Sequence, residues 1–93
     1  MTEIKFIRQP TVANAAMVYE FEGGSRFLVA NFTDGDVYVS TEKNATKEQS
    51  LIIPKSCSRI VFVNDRNIDT IKTIQIIPEA TSAKGVEVQC LRW

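Results

Sequence analysis

The sequence predicts a small all-β domain, an antiparallel β-sandwich or jelly roll of about eight short strands. Three observations predict it. Apolar segments of four to eight residues recur at spacings of roughly 8–12 residues, separated by Gly, Pro, Asn and Asp clusters. No stretch longer than a turn or two places apolar residues at helical spacing. The apolar segments, such as Ile60-Val61-Phe62-Val63 and Ile74-Gln75-Ile76-Ile77, are rich in β-branched and aromatic residues.

The 93 residues fit one domain, 1–93. A chain of this length buries only about 60–65% of the surface it exposes when unfolded, so a partner or further copies would add stability. Residues 1–10 read as an N-terminal edge strand or arm: Glu3 to Arg8 is strand-like and Pro10 favours an edge.

The segment from Ala16 to Thr41 carries two turn signals, Glu22-Gly23-Gly24-Ser25 and Thr33-Asp34-Gly35-Asp36. Read as two-residue hairpins, they predict a three-stranded meander. Counting across the turns places Met17, Tyr19, Phe21, Leu28, Ala30, Phe32, Val37 and Val39 on the core face. The opposite face then carries Val18, Phe27, Val29 and Tyr38 near its middle, beside Glu20 and Asn31.

The rest of the chain alternates loops and strands. Thr41 to Ser50 holds no large apolar side chain and reads as a mobile loop or one frayed helical turn. Leu51-Ile52-Ile53 is a short strand stopped by Pro54, and Lys55-Ser56-Cys57 turns into a strand from Ser58 to Asn64. Asp65-Arg66-Asn67 is a turn, and Thr70 to Ile77 is a strand ended by Pro78. Glu79 to Gly85 is the last loop. Val86 to Leu91 alternates, with Val86, Val88 and Cys90 inward and Glu87 and Gln89 outward.

Charge and composition narrow the chemistry. Eleven basic residues balance eleven acidic ones, without the clustered Lys and Arg of a nucleic-acid binder, so no nucleic-acid partner is expected. Neutrality also removes long-range repulsion between copies. No apolar run approaches the roughly 20 residues of a membrane span and no signal peptide is seen, so no membrane role is expected. Cys57 and Cys90 are expected to be reduced thiols of a protein made in a reducing cytoplasm. The chain has no histidine, no Cys-x-x-Cys pair and no glycine-rich phosphate loop, so neither catalysis, nor a metal site, nor a cofactor is expected. Asp34 and Asp36 read as turn residues rather than calcium ligands, and the Asn31-Phe32-Thr33 and Asn44-Ala45-Thr46 sequons as ordinary strand and loop residues.

Three strands offer apolar groups to both faces: Phe27 to Ala30, Ile60 to Val63 and Ile74 to Ile77. Either loops fold over the outer faces or a partner packs there. The candidate interface is Val18, Phe27, Val29 and Tyr38, with the terminal Trp93.

Phe27 to Ser40, Ile52-Ile53-Pro54 with Ser56 and Ser58, and Thr73 to Pro78 with Gly85 to Gln89 together form a pattern. It resembles small β-sandwich accessory proteins of tailed bacteriophages and prophages, of the head-decoration or head-fibre type. The resemblance spans Arg26 to Leu91 and consists of strand and turn pattern, without a motif that carries functional residues over. It implies a virion accessory role, such as head decoration or head-fibre attachment. With the apolar face of Val18, Phe27, Val29 and Tyr38, the expectation is a structural protein of the virion that binds copies of itself as a homo-oligomer such as a trimer, or binds the capsid. Two alternatives stand beside it: a carbohydrate-binding or adhesion module stacking sugars on Phe27, Tyr38 or Trp93, and a small phage inhibitor of a host defence protein.

Overall fold

The computed structural model describes residues 6–22, 26–42, 44–62 and 71–92. Eight strands follow in order: β1 (Phe6–Thr11), β2 (Met17–Glu22), β3 (Arg26–Asn31), β4 (Val37–Ser40), β5 (Leu51–Ile53), β6 (Ser58–Phe62), β7 (Ile71–Pro78) and β8 (Ser82–Arg92). One 3₁₀ turn, Lys47–Gln49, precedes β5, and no α-helix occurs among the described residues. Glu3 to Lys5, the Gly23-Gly24 turn, the Asp65-Arg66-Asn67 turn and Trp93 lie outside the described residues.

Two four-stranded antiparallel sheets form, in the orders β1-β8-β3-β6 and β2-β7-β4-β5. Successive strands from β1 to β6 lie in different sheets, except β4 and β5, which pair with each other across the segment 41–50. The eight-strand, two-sheet order with β8 between β1 and β3 and β7 between β2 and β4 is the jelly-roll arrangement. The fold class expected from the sequence is therefore the one observed.

The meander is not. β2 pairs with β7, β3 pairs with β6 and β8, and β4 pairs with β5 and β7. Both supposed hairpins are connections from one sheet to the other. A hairpin forces cross-strand partners onto one face, but a connection between sheets imposes no such parity. On β2 and β4 the expected faces hold, with Tyr19, Phe21, Val37 and Val39 buried. On β3 the faces are inverted. Phe27, Val29 and Asn31 are buried, Leu28 and Ala30 are half-buried on the outside, and Phe32 is exposed. The Phe21 and Phe27 rings, centroids 4.8 Å apart, meet across the core from opposite sheets.

The core is one cluster between the sheets, including Phe27, Val29, Val37, Val39, Ile53, Val61, Ile74, Ile76, Val86 and Val88. Cys90 is inward as expected, Cys57 is exposed, and both are free thiols. Tyr19 is buried with its hydroxyl unpartnered.

The connection from β3 to β4 is held by a buried polar cluster. The Asn31 amide nitrogen donates to the Gly35 and Ile53 carbonyls at 2.8 and 3.0 Å. Its oxygen accepts from the Thr33 N–H at 2.9 Å and the Thr33 hydroxyl at 2.7 Å. An amide so fully used can be buried at small net cost. Asn31 is thus a structural residue of the folded core, its amide used on both sides.

β1 lies at an edge, as Pro10 suggests, and its register shifts between Gln9 and Thr11. Opposite, Gly85 adopts φ +66°, and a Cβ there would overlap the Gln9 carbonyl and the Pro10 Cα. Glycine is what lets β1 approach β8 at this point.

Candidate functional site

The four described residues of the expected interface do not share a face. Phe27 and Val29 are fully buried, because β3 enters from the other sheet with inverted parity. They cannot form an exposed contact. Val18 and Tyr38 do lie on one outer face, that of the β2-β7-β4-β5 sheet, Val18 exposed and Tyr38 half-buried.

Around Gln75 and Tyr38 that face is covered by the chain itself, while Val18 and Ile52 at its margins stay 47% and 48% exposed. The segment expected to be a loop or a frayed turn folds back over it. The Gln75 side chain, buried on the outer side of β7, accepts from the Asn44 N–H at 2.7 Å and donates to the Ala45 carbonyl at 2.9 Å. Gln49 accepts from the Thr46 N–H at 3.0 Å, closing the 3₁₀ turn from its start. Lys47 then reaches across the sheet, its ammonium 5.1 Å from the centre of the Tyr38 ring and donating to Asn14 at 3.0 Å. The Tyr38 hydroxyl donates to Glu79 at 2.6 Å. That hydrogen bond, then burial, then the charges of Glu79 and Asp36, hold its pKa above the ordinary tyrosine value.

The other sheet is different. On its outer side, β3 and β6 set Leu28 opposite Ile60 and Arg26 opposite Phe62. Ile60 is 46% exposed and Phe62 66%, with the Arg26 guanidinium 5.5 Å from the Phe62 ring centre. Phe32, 43% exposed, follows β3 and is fixed there by its N–H bond to the Gly85 carbonyl. No hydrogen bond or ring contact to another described segment covers Ile60. Of the doubly apolar strand at 60–63, only Val61 is buried among the described residues.

β6 also ends its sheet, and β5 ends the other on the same side of the sandwich. Between them opens a cleft of about 580 Å³, with apolar walls from Leu51, Ile60 and Phe62 and polar groups from Glu42, Gln49 and Arg59. The turn into β6 is pinned by the Ser56 N–H bond to the Asn31 carbonyl at 3.1 Å, with Ser56 in the left-handed region at φ 62°.

This apolar edge, built on Ile60 and Phe62, is the candidate site. The sequence marks β6 as apolar on both faces, but hydropathy cannot show which strand ends a sheet. Among the described residues no group of three or more His, Cys, Asp or Glu is placed to hold a metal ion, and Asp34 lies exposed in its turn. No helix among them is long and apolar enough to cross a membrane. Comparison with known proteins assigns no family to this geometry: no family model matches the chain, and neither a curated protein nor a solved structure does.

Proposed function

We propose that the protein is a non-enzymatic assembly module of a phage particle, which binds copies of itself or the capsid through the β6 edge and the outer face beside it. The observation that carries this reading is the exposure of Ile60, Phe62 and Phe32 on a single sheet of a neutral domain. Covering such surface yields roughly 25 cal/mol per Å² of apolar area. The sequence pattern from Arg26 to Leu91 resembles phage accessory proteins and supports the particle setting. The jelly-roll order supports it only by analogy, since capsid and lectin domains both use it.

Sedimentation velocity on the wild type and Phe62→Asp tests the reading. The wild type should associate with itself or co-sediment with phage heads. Phe62→Asp should do neither while keeping the wild-type far-ultraviolet circular dichroism, because Phe62 contributes little to the core. A wild type that remains monomeric at high concentration and ignores phage heads would overturn the proposal.

A second reading has one observation in its favour: Phe62 lines the same cleft as Glu42, Gln49 and Arg59. An aromatic face with flanking hydrogen-bonding groups is what sugar stacking needs. Glycan-array binding that disappears in Phe62→Ala would replace assembly with carbohydrate recognition.

A further inference from the structure

We infer that β6 is a strand-addition edge and that its occupant is the β6 of a second copy, paired antiparallel about a two-fold axis at Ile60. This rests on the self-association reading above and names its contact.

The main chain of β6 shows why. The Asn31 N–H donates to the Cys57 carbonyl at 2.9 Å, in the register that sets Ala30 opposite Ser58 and Val29 opposite Arg59. Hydrogen-bonded pairs alternate along an antiparallel ladder. Arg59 and Val61 therefore direct their N–H and C=O groups to β3, and Ser58, Ile60 and Phe62 direct theirs away from the sheet. Because β6 is last in its sheet, those groups meet no strand among the described residues.

The other edges are protected. β1 carries Pro10 and a register shift, and β5 is three residues long and followed by Pro54. β2 presents Glu20 to its outer side. Proline, irregularity, shortness and charge are the usual defences of an edge strand; β6 has neither proline nor a register shift and carries one charge, Arg59.

The strand is complementary to itself. Pairing about Ile60 sets Ile60 against Ile60 of the second copy, and Phe62 against Ser58 of the second copy, a large side chain beside a small one. Arg59 faces Val61 of the second copy, so like charges are not directly opposed. The cleft flanking the strand holds one base, Arg59, and one acid, Glu42. In an isologous contact each of these charges meets the same surface of the second copy, with Arg59 set diagonally to its own copy across the axis. The result joins the β1-β8-β3-β6 sheets of both copies into one continuous sheet.

Two measurements test this. At a hydrogen-bonded antiparallel pair the Cα atoms stand about 5.5 Å apart, within disulfide reach. In a Cys57→Ser background, Ile60→Cys should form a disulfide-linked dimer under mild oxidation. Ile52→Cys, equally exposed but on β5 of the other sheet, should stay monomeric. In the wild type, the Ile60 amide should exchange at least tenfold more slowly at high than at low protein concentration, while the Arg59 amide, already bonded to β3, should show no such dependence. A wild type that associates, for example as a trimer, with no Ile60→Cys cross-link and no concentration-dependent Ile60 protection would overturn the two-fold edge and leave self-association standing. Ile60 protection that appears only on adding a foreign peptide would likewise overturn the second copy as occupant. A wild type monomeric at every concentration would overturn both.

Discussion

Over the β2-β7-β4-β5 sheet, residues 44–49 reach back from the end of β4, spend the Gln75 amide and lay Lys47 across Tyr38. Over the β1-β8-β3-β6 sheet, no comparable segment crosses β3 and β6 among the described residues, and Leu28, Ile60 and Phe62 form an open apolar surface. The two faces show two solutions to one problem. A strand that is apolar on both sides can be closed by its own chain when a polar residue such as Gln75 anchors a loop over it. Over Ile60 and Phe62 no described segment supplies such a cover. Gln75 within Ile74-Gln75-Ile76-Ile77 is that anchor, and Ile60-Val61-Phe62 has no equivalent.

The sharpest break in this comparison is the inner layer that both faces share. Phe27→Asp places a charge at a fully buried site against Phe21 and should cost about 5 kcal/mol or more, enough to unfold a domain of this size. Circular dichroism of the purified variant should show loss of strand structure. A folded Phe27→Asp would mean that β3 presents its other face to the core.

Gln75→Ala tests the closed face directly. It strands the Asn44 N–H and the Ala45 carbonyl and should cost about 1–2 kcal/mol in urea unfolding, with faster amide exchange at Asn44. Unchanged exchange there would show that the loop holds without its anchor. On the open face, Leu28→Ala should cost only about 1 kcal/mol, against the roughly 2–5 kcal/mol of a core leucine, because Leu28 is half-buried. A larger loss would place Leu28 under a cover that the free chain supplies.

The smallest effect at neutral pH belongs to Tyr19. Its unpartnered hydroxyl makes Tyr19→Phe neutral or stabilising by up to about 1 kcal/mol. Burial pushes the Tyr19 pKa up to about 12 from 10.0. The folded protein thus keeps a proton that the unfolded chain gives up between those values. Wild-type stability should fall as pH rises through that window, by at most about 1.4 kcal/mol per pH unit. Tyr19→Phe should remove that share of the alkaline loss, read from urea midpoints at neutral pH and near the upper end of the window.

What the residues determine locally was legible in them. The inward alternation of Val86, Val88 and Cys90, the stop at Pro54 and the edge position near Pro10 follow from period-two geometry and from the missing proline donor. The strand count and the sandwich class follow from turn spacing. The partners of β3 did not follow. Asp34-Gly35 marks a change of chain direction, and such a mark serves a hairpin or a passage between sheets alike. Two mutually consistent hairpin registers could therefore be counted through turns that join different sheets. Which face of Phe27-Leu28-Val29-Ala30 is buried was decided by strands 30 to 60 residues further on, β6 and β8, which pair with β3 on its two sides. The candidate site was partly legible: Ile60 to Val63 stood out as apolar on both faces, but edge position is a property of the whole sheet. The sequence alone determined the period, the stops and the strand-forming segments, because these depend on neighbours along the chain. Tertiary structure alone decided strand order, the inversion of β3 and the exposure of Ile60 and Phe62, because those depend on long-range pairing that no local pattern encodes.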